Sequence, residues 1–148
     1  MLIQQLNRTD PDRVLISIRN VDGSGSITTG MGACLVQAGA SINGINAVRS
    51  TAGTWLGFCG VARSDIAIND YGLVTAWGYA ASINISNVGT SLTITRGDIL
   101  VPSAVAGAFF SSLTNQALST LLYRYAYAAT TTVAVSAEGW IDGVVRAL

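Results

Sequence analysis

Three observations predict an all-β protein, a small β-barrel or β-sandwich with an extended N-terminal arm and at most one short helix. Apolar residues alternate with polar ones in short runs, many of them β-branched. Glycine, asparagine and aspartate punctuate the chain between those runs. Several short strands with turn signals at this spacing are the signature of a closed barrel or a sandwich. With 148 residues the chain fits one domain, and a domain of that size buries roughly two thirds of its unfolded surface without help from disulfides or metals.

Residues 1–12 are polar after Leu2 and Ile3 and end in "TDPD". They read as an arm leading into a turn, with residues 13–148 as the single β domain. "RVLISIRNV" (13–21) places Val14, Ile16 and Ile18 on one face and Arg13, Ser17 and Arg19 on the other, the pattern of a strand. "DGSGS" (22–26) is a turn, and "GMGACLV" (30–36) is a second strand. The small, polar stretch 37–54 reads as a loop or hairpin around Asn43-Gly44. "WLGFCGVAR" (55–63) is a third strand, 64–70 a connection, and 71–85 a long strand or a bent pair whose glycines mark a bulge or a close backbone approach. "TRGD" (95–98) is a turn, and Pro102 ends the strand that follows it. Residues 103–120 permit a short helix that Gly107 and the serines weaken. "LLYRYAYA" (121–128) alternates again, and "TTVAVSA" (131–137) and "WIDGVVRAL" (140–148) read as closing strands joined by a turn at Glu138-Gly139.

Half of the residues are hydrophobic but only 11% are charged, against roughly 25% in ordinary soluble domains. So neutral a surface is usually covered by more copies of the chain or by a partner. The net charge is zero, which argues against nucleic acid or an anionic membrane as partner. All eight basic residues are arginine. Either the base composition of the genome or the suitability of a planar guanidinium for interfaces accounts for this. Arg8, Asp10 and Asp12 interrupt the N-terminus before a signal-peptide core can form, and "ILVPSAVAGAFFSSL" is too short and too broken for a membrane helix. The expected site of synthesis is therefore a cytoplasm.

Without histidine, Ser-His-Asp and Cys-His catalysis and most zinc sites are unavailable. Cys34 and Cys59 read as small buried hydrophobes. Most acids stand beside Gly, Pro, Asn or Ser, where aspartate caps turns, although two of them could serve a hydrolase. "GSGSITTGMG" (23–32) lacks the lysine of a phosphate loop and reads as a hairpin turn. Gly97 makes "RGD" (96–98) a turn rather than an adhesion motif. No catalytic residue, metal or cofactor is implied.

What remains is contact surface. In "DYGLVTAWGYA" (70–80), Trp77 and Tyr79 face one way in an extended chain, and Tyr123, Tyr125 and Tyr127 share one face of a later strand. Each set can pack in a core or meet another subunit, where aromatic residues are enriched. Trp140 reads as core.

Three stretches carry a family resemblance: "RVLISIRNVDGSGSITTGMGACL", "GFCGVARSDIAINDYGLVTAWGYAASI" and "YRYAYAATTTVAVSAEGWIDGVVRAL". They resemble the decoration, or cement, proteins of tailed-bacteriophage capsids. Gly60, Val61, Ala62, Asp65, Ile66, Ala67, Tyr71, Gly72, Leu73 and Val74 match one part of the pattern. Gly97, Asp98, Leu100 and Val101 match another. The stretches 37–54 and 103–120 depart from it. The resemblance implies a structural virion protein without catalytic residues. It would bind the outer surface of the major capsid protein shell as a homo-oligomer, most simply a trimer, and hold the shell against the pressure of packed DNA. Leu2, Ile3, Trp77, Tyr79, Tyr123, Tyr125 and Tyr127 are then the interface candidates. The competing readings are a tail or head-joining component, a carbohydrate-binding module stacking sugars on Trp77 and Tyr79, and a small two-carboxylate enzyme.

Overall fold

A computed structural model describes residues 13–39, 42–51, 55–86, 92–103, 105–111, 126–130, 132–135 and 138–147. The expected arm over 1–12 lies outside these residues, with Leu2 and Ile3, and so do Tyr123 and Tyr125. The described residues are all β. Eleven strands run in order: β1 (Val14–Asn20), β2 (Gly32–Leu35), β3 (Asn46–Arg49), β4 (Phe58–Ala62), β5 (Tyr71–Ser86), β6 (Leu92–Ile94), β7 (Ile99–Pro102), β8 (Phe109–Ser111), β9 (Ala126–Ala128), β10 (Thr132–Val135) and β11 (Glu138–Arg146). The only helical geometry among the described residues is one 3-10 turn at Trp55–Gly57. Where a short helix was allowed, at 103–120, the described part forms a turn and β8, and 112–120 lie outside the described residues.

The strands β1-β3-β2-β4-β5 close on themselves through the β1–β5 pairing, giving a five-stranded barrel. All its pairings are antiparallel except β1–β3. The 16-residue strand β5 runs on beyond the barrel. From it β11, β9, β7 and β8 pair in series, and β8 returns to β5 through the Ile85–Phe109 pair. Strands β6 and β10 form a separate two-stranded sheet.

Two hydrophobic cores follow these two circuits. Ile18, Ile27, Ala33, Ala47, Cys59, Ala62, Ile66 and Val74 fill the barrel. Phe109, Ile83, Ile85, Leu100, Ala126 and Val145 lie in the second core, and Cys34, Phe58 and Val61 reach it from β2 and β4. Strand β4 is thus a wall between two interiors, and all five of its residues are buried. This explains the unbroken apolar run "FCGVA", since a strand covered on both sides has no polar face.

Bulges let one strand serve both interiors. Ala33 pairs with Gly60 but Cys34 with Phe58, so β4 carries one extra residue there. Simple alternation would send Phe58 and Val61 to opposite faces, and the bulge brings both to the second core. In β5, Gly143 pairs with Ala80 and Ile141 with Ile83, so three steps oppose two and Ser82 takes φ 61°. The side-chain parity flips at this point, which keeps Ala80, Ile83 and Ile85 all inward.

The segment 23–32 is not the expected hairpin. β1 pairs with β3 and β5, and the connecting loop bridges Ile27 to Ile66. Ile27 is fully buried, so this loop contributes to the barrel core. In the same loop Gly30 has φ 82°, and a Cβ there would strike the Ser82 carbonyl and the Trp140 ring. Residues 37–54 supply β3, the middle strand between β1 and β2. Glu138 and Gly139 do not form a turn. They begin β11, which pairs with β5 and β9, while β10 pairs with β6.

Polar anchors tie the loops at the end of β1. Asn20 is fully buried. Its side-chain amide donates to the carbonyls of Gly25 (3.1 Å) and Ile66 (2.9 Å), and its Oδ1 accepts from the Asp22 amide (2.8 Å). Asp22 accepts from the Ser24 amide and pairs with Arg49 at 2.9 Å. Partial burial pushes the Asp22 carboxyl up, but the Arg49 side chain and the backbone amides of Ser24 and Arg49 outweigh it, and the group is held at about 2.

Candidate functional site

The outward residues of β11 alternate as Trp140, Asp142, Val144 and Arg146, while Ile141, Gly143 and Val145 point inward. The register then sets their neighbours. Val144 lies between Tyr79 of β5 and Tyr127 of β9, and Arg146 stands opposite Trp77. On the far side of β5, Val14 of β1 also pairs with Trp77. Directly opposed residues share a face, so Trp77, Tyr79 and Tyr127 come together on one outer surface.

Two guanidiniums lie over these rings. Arg146 sits 4.9 Å from the Trp77 centroid and 5.7 Å from that of Tyr127, and Arg13 sits 5.4 Å from that of Tyr79. Further along β5, Arg19 covers Tyr71 at 6.0 Å. The Tyr79 hydroxyl hydrogen-bonds the Asp142 carboxylate, which raises the tyrosine pKa, with slight burial and the Asp142 charge adding to the effect and Arg13 opposing it. Asp142 Oδ1 also accepts from the Ser82 amide of the bulge (3.3 Å). Val14, Leu15, Leu73, Trp77 and Val144 all remain exposed. Four strands at the usual spacing make this face roughly 15 Å wide, and Trp140 to Arg146 spans roughly 20 Å.

Of the residues singled out from the sequence, the structure unites Trp77, Tyr79 and Tyr127. Leu2, Ile3, Tyr123 and Tyr125 fall outside the described residues. Trp140 is a correction: it is 54% exposed rather than core, because it shares the outward parity of Val144 and Arg146 and packs over Gly30 at the end of the same face. The arginines and Val144 were not singled out, although the spacing of Trp140, Val144 and Arg146 in "WIDGVVRAL" already places them together.

The remaining chemistry-bearing groups have structural partners. The turn reading holds for Asp22 and for Asp98, which accepts from the Thr95 amide across Gly97 (φ 93°). Asp65 accepts from the amide and hydroxyl of Thr29, which lowers its pKa. Cys34 and Cys59 are free, buried and near one another. Burial, reinforced by Cys34, pushes the Cys59 thiol up to about 12, and its Sγ donates to the Ala33 carbonyl at 3.3 Å. Such a thiol is un-ionised at neutral pH and a poor nucleophile. Among the described residues, no three Cys, Asp or Glu side chains converge as metal ligands. Compared with known proteins, no family model matches the chain and no curated protein matches it.

Proposed function

We propose that this chain is a structural virion protein, a capsid decoration protein that adheres to the outer surface of a major capsid protein shell and stabilises it against internal DNA pressure. The observation that carries the reading is the arginine-capped aromatic face. Tryptophan, tyrosine and arginine are the residue types that dominate the energetic centres of protein interfaces, and here they stand together beside exposed Val14, Leu15 and Val144. The low charge of the chain and its resemblance to cement proteins point the same way.

The face covers roughly 300 Å² by its strand dimensions, less than the ~800 Å² per partner of a standard interface. It therefore serves as the centre of a larger contact. An oligomer that engages several capsid subunits at once would reinforce it through effective concentration. A carbohydrate-binding role is less favoured, because the guanidiniums of Arg13 and Arg146 occupy ring faces that a stacked sugar would need.

The test is co-sedimentation of purified protein with empty capsid shells. Trp77→Ala should weaken retention by at least about tenfold, the scale of a modest interface hot spot, while the variant stays folded. Equal retention of wild type and variant would remove this face from the contact. Absence of the protein from mature particles would overturn the reading itself. A few copies per particle instead of full surface coverage would assign it to a connector or tail.

A further inference from the structure

The edge of β1 carries a second inference. Strand β1 pairs with β5 along Val14–Arg19, but with β3 only at Arg19 and Asn20. Among the described residues no strand pairs with its other edge from Arg13 to Ser17. The Arg19 and Val21 amides point to the β3 side, where they reach the carbonyls of Ile45 and Ala47, while the Asn20 amide points to the β5 side and reaches Asp70. In a strand the N–H and C=O of alternate residues face the same side, so the backbone groups of Leu15 and Ser17, and of Arg13 before them, face the open edge. None of Val14, Leu15, Ile16 and Ser17 is buried. Natural edges are blunted by lysine, proline or a bulge. This one has none of these, since the extra residue opposite Val14 and Leu15 lies in β5.

We infer that this edge accepts an extended segment of a partner protein as an added antiparallel strand, with an apolar residue opposite Leu15 and a carboxylate opposite Arg13. Charge selects this occupant. At the Arg13 end, Arg13 and Arg146 stand against one carboxylate, Asp142, already engaged by Tyr79 and Ser82. A second copy paired about Leu15 would place Arg13 opposite Ser17 of its mate, adding two guanidiniums and no carboxylate. An acidic partner strand supplies the missing charge, extends the aromatic face by one strand, and exchanges backbone hydrogen bonds at Arg13, Leu15 and Ser17. The inference concerns the chemistry of a partner segment and does not depend on which assembly supplies it.

The test uses the full chain and the blocked peptide Thr-Thr-Val-Thr-Glu, titrated to millimolar concentration and followed by amide NMR. The middle valine is set opposite Leu15 and the glutamate opposite Arg13. The amides of Leu15 and Ser17 should shift with peptide and gain exchange protection. Lysine in place of glutamate should weaken binding by about fivefold, the scale of an opposed charge pair in a sheet. N-methylation of the valine should abolish binding without touching the protein. Ser17→Pro should do the same from the other side, because it removes an N–H that points away from β5.

Unchanged Leu15 and Ser17 amides at the highest peptide concentration would overturn the inference. So would protection of both amides in a concentration-dependent dimer without peptide, which would assign the edge to a second copy. Protection in the monomer that disappears on removal of residues 1–12 would assign it to the chain's own N-terminus. None of these measurements involves capsid shells, so failure here is distinct from failure of the decoration reading.

Discussion

In the barrel, alanine, cysteine, valine and isoleucine fill the described interior and no aromatic ring enters. Across the β4 wall, Phe58 and Phe109 meet edge to face at 5.6 Å in a core that also holds Ile83, Ile85, Ile94 and Leu100. The interiors share β4 and β5 but differ in how they are held. Small side chains bury little area each, so the barrel depends on the polar anchors at the end of β1, where Asn20 and Asp22 tie three loops. The second circuit closes through a single strand pair at Ile85–Phe109 and depends on the volume of its rings. One region should therefore respond to hydrogen bonds and pH, and the other to cavities.

The largest effect expected is that of Phe109→Ala. The side chain is fully buried, touches the Phe58 ring and approaches Ser50 and Gly32. Removing it should cost about 3–5 kcal/mol, from lost burial and the cavity left behind, read as a drop in the urea midpoint. A cost near 1 kcal/mol would mean that the second core collapses readily and that the contrast with the barrel is false. Asn20→Ala comes next, at about 2–3 kcal/mol. It leaves the Gly25 and Ile66 carbonyls and the Asp22 amide without the Asn20 side chain, and unsatisfied buried groups carry their full desolvation penalty. If Asn20→Ala proves neutral in the same denaturation assay, the polar anchoring of the barrel is refuted.

This division also marks what could be read from the sequence. Strands with one wet face announced themselves, as "RVLISIRN" became β1 almost residue for residue. Bulges and loops that enter the core did not. Ile27 has no alternating neighbours, and its burial depends on a bridge to Ile66, 39 positions away (66 − 27), which no local pattern encodes. The assignment of 138–146 failed at its start for a related reason. Gly139 looks like a turn residue, yet it lies beside Ile85 within a ladder. On the outer face, Trp77 and Tyr79 were legible from period two alone, and their meeting with Tyr127 needed the β5–β11–β9 register. Trp140 was misread because large aromatics are usually buried, although its parity with Arg146 already placed it outside.

The pH response sharpens the comparison from the barrel side. The Asp22 carboxyl has an ordinary value of 3.8 and is held at about 2 in the fold. A depressed carboxylate stabilises the native state fully above its unfolded pKa, and that contribution fades as pH falls from about 4 through 2. With solvent screening of the partly exposed pair, the loss should be about 1–2 kcal/mol. Asp22→Asn should be less stable than wild type at pH 7 and should flatten the difference between pH 5 and pH 2. An unchanged acid limb in denaturation curves of the variant would show that Asp22 does not set it.

The smallest effect belongs to the outer face, and its smallness is informative. Arg146 covers two rings but is itself exposed, and exposed cation–π contacts contribute about 0.5–1 kcal/mol each at most. Arg146→Ala should therefore lower stability by no more than about 1 kcal/mol, well below Phe109→Ala in the same urea titration. An arginine that cost as much as the core phenylalanine would make the face part of the folding machinery, and its aromatic rings would need no partner to account for them. A folded, nearly wild-type Arg146→Ala protein leaves Trp77, Tyr79 and Tyr127 as exposed or half-buried rings whose contact surface the fold itself hardly uses. That surplus surface is what an adhesive role requires, and a domain held together by its interior can carry it without loss of stability.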